Sequence, residues 1–462
     1  MSLPSTGNTV PYKFVWINAY EETHYKQPVF PVFADTRFAD SLPVGASIKW
    51  SYDADIDANG LGLDGSYTVE GRTVTDETLT VNQLPSAVFR IPAPQKIQDH
   101  RPTQEKWATK AMNRIFWKMD AQMLVTMAQN AYSVVDASDP IAGSGAASGT
   151  PLTVSTANAP AIFAAARMKL RNTNVIYDEN KKWTGYVKLD TMAKYPCCAI
   201  PAELEAPLLL AIGFKPGDVG DGVLVKGFIN LLFGFNTFVS TALPYSCLLT
   251  VQAGSNIANN TTVTIGGSGT YGVSGGIVFN FVTGSPTNPG DIKADASHDY
   301  TSLANLMTAC AAPYTAVSNI YVPFVRLTGT IYQRQILDGL ANSVQASTLQ
   351  GTASATSNTA TLAVYGQGAL NTVSSAAQIV VSNQAVHAIF GTSQSIALVM
   401  QRYPELQVSG DIIGNGSTGG MVAKDFVTWT LAGWQVFKTH TYQLVDVPIA
   451  CSTFTSPLNV YL

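Results

Sequence analysis

The chain has 462 residues, of which 13% are charged and 46% hydrophobic, with 27 Lys and Arg against 31 Asp and Glu, a net charge of −4. The charged share is about half the ~25% usual for a soluble domain, and the acidic balance excludes a chain that binds nucleic acid through its overall charge. A membrane-spanning helix is excluded as well, because the longest apolar stretch, 223–239, is broken by Lys226 and Asn236 and falls short of roughly 18 clean residues.

So little charge cannot cover the surface of a monomer this long, about two to four domain-sized units. The composition implies a protein whose Ala, Ser, Thr and Gly surface is covered by copies of itself. Five cysteines, Cys197, Cys198, Cys247, Cys310 and Cys451, include no CxxC pair, which points to free thiols in a reducing compartment. Residues 1–10 lack the charged and apolar regions of a signal peptide, so synthesis and assembly in the cytoplasm are expected.

Residues 1–45 read as an irregular, extended arm, with Tyr12, Phe14, Trp16, Tyr20, Tyr25, Phe30, Phe33 and Phe38 spread among prolines. A free monomer has little against which to bury them, so the arm is expected to lie on a neighbour. Two β-type stretches, 46–52 and 66–74, joined by the acidic, Gly-rich 53–65, predict a long hairpin, and strands are expected at 78–81 and 87–91. From Thr103 to about Tyr132 the residues Trp107, Ala111, Ile115, Met119, Met123, Met127 and Ala131 recur every fourth position, predicting a helix of roughly 40 Å with one apolar stripe. A second helix is predicted over 157–171, a strand over 186–189, and helices over 191–195 and 202–212. A hairpin of 227–233 with 235–240 should pivot near Gly234.

From about residue 245 the chain turns to uncharged Thr, Ser, Ala and Gly. Strands are expected at 261–265, 277–282, 361–364 and 379–381, helices at 299–312 and 328–342, and 245–385 reads as an inserted domain. An amphipathic helix over 395–403, a Gly-rich loop over 410–420 and strands over 426–431, 435–440 and 443–446 close the chain.

This order, with Ala87-Val88-Phe89-Arg90-Ile91, Met119-Asp120-Ala121-Gln122-Met123-Leu124, Tyr186-Val187-Lys188-Leu189-Asp190 and the run 226–244 ending in Ala242-Leu243-Pro244, resembles the tailed-bacteriophage major capsid family built on the Hong Kong ninety-seven type capsid fold. The C-terminal Ala388-Ile389-Phe390-Gly391 and Gly433-Trp434-Gln435-Val436 have the same look. The resemblance implies an α+β phage major capsid fold: an N-terminal arm (1–45), an extended β-hairpin loop (46–98), a peripheral domain with a long spine helix (99–150), an axial α/β domain (151–244 and 386–425), an inserted surface domain (245–385), and C-terminal strands returning to the peripheral domain (426–462). It further implies hexamers and pentamers of one protein enclosing double-stranded DNA in an icosahedral virion. The portal protein, a separate scaffolding protein and a decoration protein are the other implied partners. Two alternatives stand beside it, an encapsulin-like nanocompartment shell and a β-rich virion fibre or adhesin, the latter prompted by the composition of 245–385.

No motif calls for catalysis, a cofactor or a metal. Gly60-Leu61-Gly62-Leu63-Asp64-Gly65 spells a dinucleotide fingerprint, but strand-like residues follow where a helix is required. Asp53, Asp55, Asp57 and Asn59 open like a calcium loop whose twelfth position is Ser66 instead of Glu, so they read as a solvated acidic tip. Gly272-Val273-Ser274-Gly275-Gly276 precedes a strand and cannot be a nucleophile elbow. The five histidines are scattered without ligand spacing and read as ordinary polar or core residues.

One pattern remains, the basic line Lys106, Lys110, Arg114 and Lys118 beside the apolar stripe of the long helix. Such a run is usually a solvated face. In a DNA-filled shell it could line the genome or meet the acidic tip Asp53, Asp55 and Asp57 of an adjacent subunit.

Overall fold

The computed structural model of the chain describes residues 28–37, 47–53, 74–92, 103–172, 175–177, 183–186, 196–213, 231–232, 234–240, 242–251, 259–265, 277–282, 291–293, 344–350, 360–367, 373–374, 379–408, 412–414 and 421–450. In chain order the elements begin with α1 (Phe30–Phe33), β1 (Ala34–Asp35), β2 (Ser47–Asp53), β3 (Val74–Thr80), β4 (Ser86–Pro92), α2 (Thr103–Gln129) and β5 (Ser133–Val134). They continue with α3 (Ala159–Asn172), β6 (Val175–Tyr177), β7 (Trp183–Tyr186), β8 (Pro196–Ile200), α4 (Ala202–Gly213), β9 (Leu231–Leu232), β10 (Phe235–Val239) and β11 (Pro244–Val251). Next come β12 (Thr261–Ile265), β13 (Ile277–Val282), β14 (Asp291–Lys293), β15 (Val344–Gln350), β16 (Ala360–Gln367) and β17 (Val373–Ser374). The chain closes with β18 (Ile379–Thr392), β19 (Ile396–Val408), β20 (Ile412–Gly414), β21 (Met421–Gln435), α5 (Lys438–Thr441) and β22 (Leu444–Ala450).

The i,i+4 stripe of α2 is its buried face: Ala111, Ile115, Met119, Met123 and Met127 all point into the core. Straight-chain Met, Gln and Lys favour the helix while the stripe supplies the packing energy. Helix α2 lies against two sheets at once. It touches β4, β19 and β21 of a five-stranded sheet and β11, β16, β18 and β22 of a nine-stranded one, and so ties them together.

The large sheet runs β15-β16-β11-β18-β8-β10-β9, with β22 on the other side of β18 and β5 beyond it. Its centre, β8, is buried at Cys197, Cys198, Ala199 and Ile200 in succession, as a strand covered on both faces must be. Against it α3 sets Phe163, which meets Phe390 of β18 edge-on at 5.1 Å, while Phe235 of β10 meets the same ring at 5.3 Å. Gly234 takes φ +83° immediately before β10, the left-handed conformation that lets β9 and β10 pair as the predicted hairpin. Strands β12, β13, β14 and β17 make a separate four-stranded sheet.

The predicted hairpin pairs β2 with β3 from Ser47↔Thr80 to Asp53↔Val74, leaving residues 54–73 as its connection. The strand expected at 66–74 is described only at Val74. The expected helices at 191–195, 299–312 and 328–342 lie outside the described residues, as do the motifs at 60–65 and 272–276.

Three expectations are corrected. Residues 396–403 belong to strand β19, not to an amphipathic helix: Ile396, Ala397, Leu398 and Val399 are buried in unbroken succession, the first two paired with β1 and the last three with β21, which a one-faced helix cannot satisfy. The two strands expected at 426–431 and 435–440 are one strand, β21, followed by the short helix α5. That turn brings Phe437 and His440, three residues apart, to the same interior. Finally, Phe30 and Phe33 of the expected extended arm form the turn α1 and are buried in the chain's own core, so this part of the segment needs no neighbour.

The base of the hairpin is seated on β21 at a glycine. A Cβ on Gly433 would fall 2.5 Å from the Thr80 carbonyl oxygen and 2.9 Å from the Val81 Cα, both backbone atoms. Gln83 and Ala432 exchange two backbone hydrogen bonds just beyond. Gly433→Ala is therefore expected to lift β3 off the sheet, exposing Leu79 and Val81 and costing about 1–3 kcal/mol. A lower urea midpoint together with faster proteolysis in 81–85 checks it.

Candidate functional site

Of the basic line, Lys110 is half-buried, Arg114 exposed and Lys118 half-buried, while the Lys106 side chain lies outside the described residues. Each precedes a residue of the buried stripe by one position, and so points about 100° away from it. The Arg114 guanidinium lies 5.0 Å from the centroid of the Trp117 ring on the same helix. Asp53 ends β2, paired with Val74; its side chain, and all of Asp55 and Asp57, lie outside the described residues.

Three buried polar constellations escaped the sequence reading. The first is Asp120, 1% exposed, on α2 between Met119 and Ala121. One of its oxygens, Oδ1, accepts both the Val29 N–H at 2.9 Å and the Phe30 N–H at 2.6 Å. These amides open α1, which has no side-chain cap of its own. Burial pushes the carboxyl up to about 7 against the opposing pull of the two N–H donors.

A few residues on, Asp35 accepts a paired hydrogen bond from Arg37 and faces His440 Nε2 at 3.5 Å. Burial alone would raise this carboxyl, but the bonds from His440 and Arg37 outweigh it and hold it well below the usual carboxylate range.

The third constellation crosses the large sheet. Ser246 of β11, His387 of β18 and Asp446 of β22 project from three neighbouring strands, with Ser246 opposite Ala385 and Asp446 opposite Ile389, each diagonal to the histidine. His387 Nδ1 lies 2.8 and 2.9 Å from the two Asp446 oxygens, and Nε2 lies 2.7 Å from Ser246 Oγ. A carboxylate only accepts, so Nδ1 donates to it; in the neutral ring Nε2 then accepts from the serine hydroxyl. The separations match those of a hydrolytic triad. Yet exposures of 9%, 3% and 4% for the serine, histidine and aspartate give the hydroxyl no face for a substrate. The arrangement is a polar tie across three strands. Sequence separations of 141 and 59 residues made it illegible without the strand register.

Cys197 and Cys198 are free and buried. Burial pushes the Cys198 thiol up to about 12 and raises Cys197 as well, which leaves both inert as nucleophiles. Among the described residues no group of three or more His, Cys, Asp or Glu could hold a metal ion, and no helix is long and apolar enough to cross a membrane.

No family model matches the chain, and no curated protein matches it. Among solved structures the chain is similar to one from Mycobacterium phage Che8, at 11% identity over 91% of this chain and 90% of that one, with a TM-score of 0.44. It is also similar to a chain of the capsid structure of the cyanophage P-SCSP1u, at 11% identity, 92% and 89% coverage and a TM-score of 0.44. A third similarity is to a chain of the head structure of Helicobacter pylori bacteriophage KHP40, at 9% identity, 93% coverage of each chain and a TM-score of 0.40.

Proposed function

We propose that the chain is the major capsid protein of a tailed phage, a structural subunit and not an enzyme, which assembles with itself into hexamers and pentamers of an icosahedral head around double-stranded DNA. The observation that carries the reading is the assembly of parts around α2. One long helix ties two sheets together, a hairpin with a long connection packs on β21 of the five-stranded sheet, and an N-terminal segment pairs with β19 and is bonded to the helix at Asp120. The low charge supports it independently, since such a surface suits burial against other copies.

In this reading α2 is the spine helix of a peripheral domain, 1–45 is an arm and 46–98 an extended loop. Residues 151–244 with 386–425 form the axial domain, 245–385 is an inserted surface domain and 426–462 returns to the periphery. The portal protein, a separate scaffolding protein and a decoration protein are its further partners. Electron microscopy of the purified full chain tests the central claim: closed shells or ring-shaped capsomers are expected, and a monodisperse monomer at every concentration overturns it.

Lys110, Arg114 and Lys118, with Lys106, are the residues proposed to face packaged DNA. Four like charges at i,i+4 repel by a few tenths of a kcal/mol per pair, a cost that phosphates offset. Changing Lys110 and Arg114 to Gln is expected to leave empty shells forming normally while filled particles lose stability in a salt-dependent manner. Poor assembly of empty shells, restored by reversing the charges at Asp55 and Arg114 together, would instead assign the line to the acidic tip of a neighbour. Its carboxylates are Asp53, Asp55 and Asp57.

A further inference from the structure

We propose that Asp120 makes the docking of the N-terminal segment onto the long helix proton-linked, so that residues 28–37 hold more tightly as the medium becomes more acidic. The proposal rests on the fold of the subunit alone and is independent of shell formation.

The geometry is that of a latch. Residues 28–37 reach the core through few bonds: Phe30 and Phe33 are buried, β1 pairs with β19 over two residues, and the Ser395 N–H donates to the Phe33 carbonyl. The only side-chain acceptor for the opening amides, among the described hydrogen bonds, is Asp120. With the segment in place this carboxyl is 1% exposed, with the Val29 and Phe30 amides bonded to its Oδ1. In the proposed latch, lifting the segment takes these two residues off the carboxyl and lets water reach it.

On its own helix the nearest in sequence is Lys118; on the docked segment stand Asp35 and Arg37, paired with each other; from α5 comes His440, which faces Asp35; and β19 and β21, which also pack on this helix, carry Arg402 and Glu405, paired with each other, and Asp425. From the adjoining strand β22 the titratable group is Asp446, tied to His387 of β18. The shift of Asp120 comes from burial, opposed only by the two backbone N–H groups, with no charged neighbour among its causes. With the segment docked the carboxyl stands at about 7, against an ordinary 3.8 in water. Because the docked state binds the proton more tightly, the stabilisation is complete below the ordinary carboxylate range and is lost as pH rises through about 7. Protonation is compatible with the bonds present, since both N–H groups go to Oδ1 and the proton can sit on the other oxygen.

The test is hydrogen exchange of the full chain, followed by mass spectrometry on peptides spanning 28–37 and corrected for the intrinsic pH dependence of exchange. Protection of the segment relative to the β8 peptide should fall about tenfold from pH ~6 to pH ~8. Asp120→Asn, a neutral side chain that keeps the accepting oxygen, should show no such slope and should be the better protected of the two at the higher pH. Asp120→Ala should lose protection at both. His440→Gln should keep the slope of the parent. Protection that is independent of pH or rises with it, a slope retained in Asp120→Asn, or one abolished by His440→Gln would each overturn the proposal.

Discussion

Replacing Phe390 by Ala is expected to destabilise the subunit by about 3–5 kcal/mol, the cost of removing a buried aromatic ring whose surroundings cannot close over the space. Phe390 is fully buried on β18 and meets two other rings edge-on, Phe163 at 5.1 Å and Phe235 at 5.3 Å, which are themselves 6.4 Å apart. The three come from three elements, α3, β10 and β18, so no single backbone shift collapses the cavity. Edge-to-face pairs also contribute beyond the buried area. Phe390→Leu keeps most of the volume and should cost far less, about 1–2 kcal/mol. Urea unfolding of the soluble subunit measures both, and equal losses for the two substitutions would mean that ring packing is not what holds the sheet to α3.

The second large effect is expected at Asp446. Its removal takes both carboxylate oxygens away from the buried His387 Nδ1–H, to which the Ser246 hydroxyl is tied through the ring, so Asp446→Ala should cost about 3 kcal/mol. The value of the tie lies in its being complete. A double variant, Asp446→Ala with His387→Leu, deletes the stranded donor together with its acceptor and should recover part of the loss, giving a coupling of about 1–3 kcal/mol in the double-mutant cycle. Ser246→Ala removes one neutral bond and should cost about 1 kcal/mol. Strict additivity of the Asp446 and His387 substitutions would show that the two side chains do not depend on each other.

Local patterns were legible wherever one face was apolar and the other wet. The i,i+4 stripe of α2 named Ile115, Met119, Met123 and Met127, and all four are buried. Helices α3 and α4 and strands β12 and β13 stand where periodicity put them. The reading failed where burial is two-sided. The run 396–399 carries no alternation, so nothing local separated strand from helix, and the decision came from β1 and β21 on either side. The strand expected over 435–440 gives way after Gln435; Phe437 and His440, three residues apart, are both inside because the chain turns between them. Of the candidate site, the basic line could be read from spacing alone. Asp120 gave only a weak sign, a carboxylate next to Met119 of the apolar stripe, while the Ser246, His387 and Asp446 tie depends on a strand order that no local window contains.

The fourteen-residue strand β18 has a consequence for how the protein comes into being at the ribosome. Its neighbours are β11 and β8, made earlier, and β22, which ends at Ala450. At ordinary elongation speeds the interval between finishing β8 and finishing β22 is on the order of tens of seconds. Throughout it the nascent chain carries Cys197 through Ile200 without the β18 partner that comes to cover one edge, and then β18 itself without β22 on its outer side. Such unpaired apolar edges are sticky towards other nascent chains. Early completion of α2, whose methionine stripe lacks β18, β21 and β22 until those strands arrive, compounds the exposure. The subunit is therefore expected to depend on a chaperone during synthesis, and slowing translation should raise the aggregated fraction, not lower it.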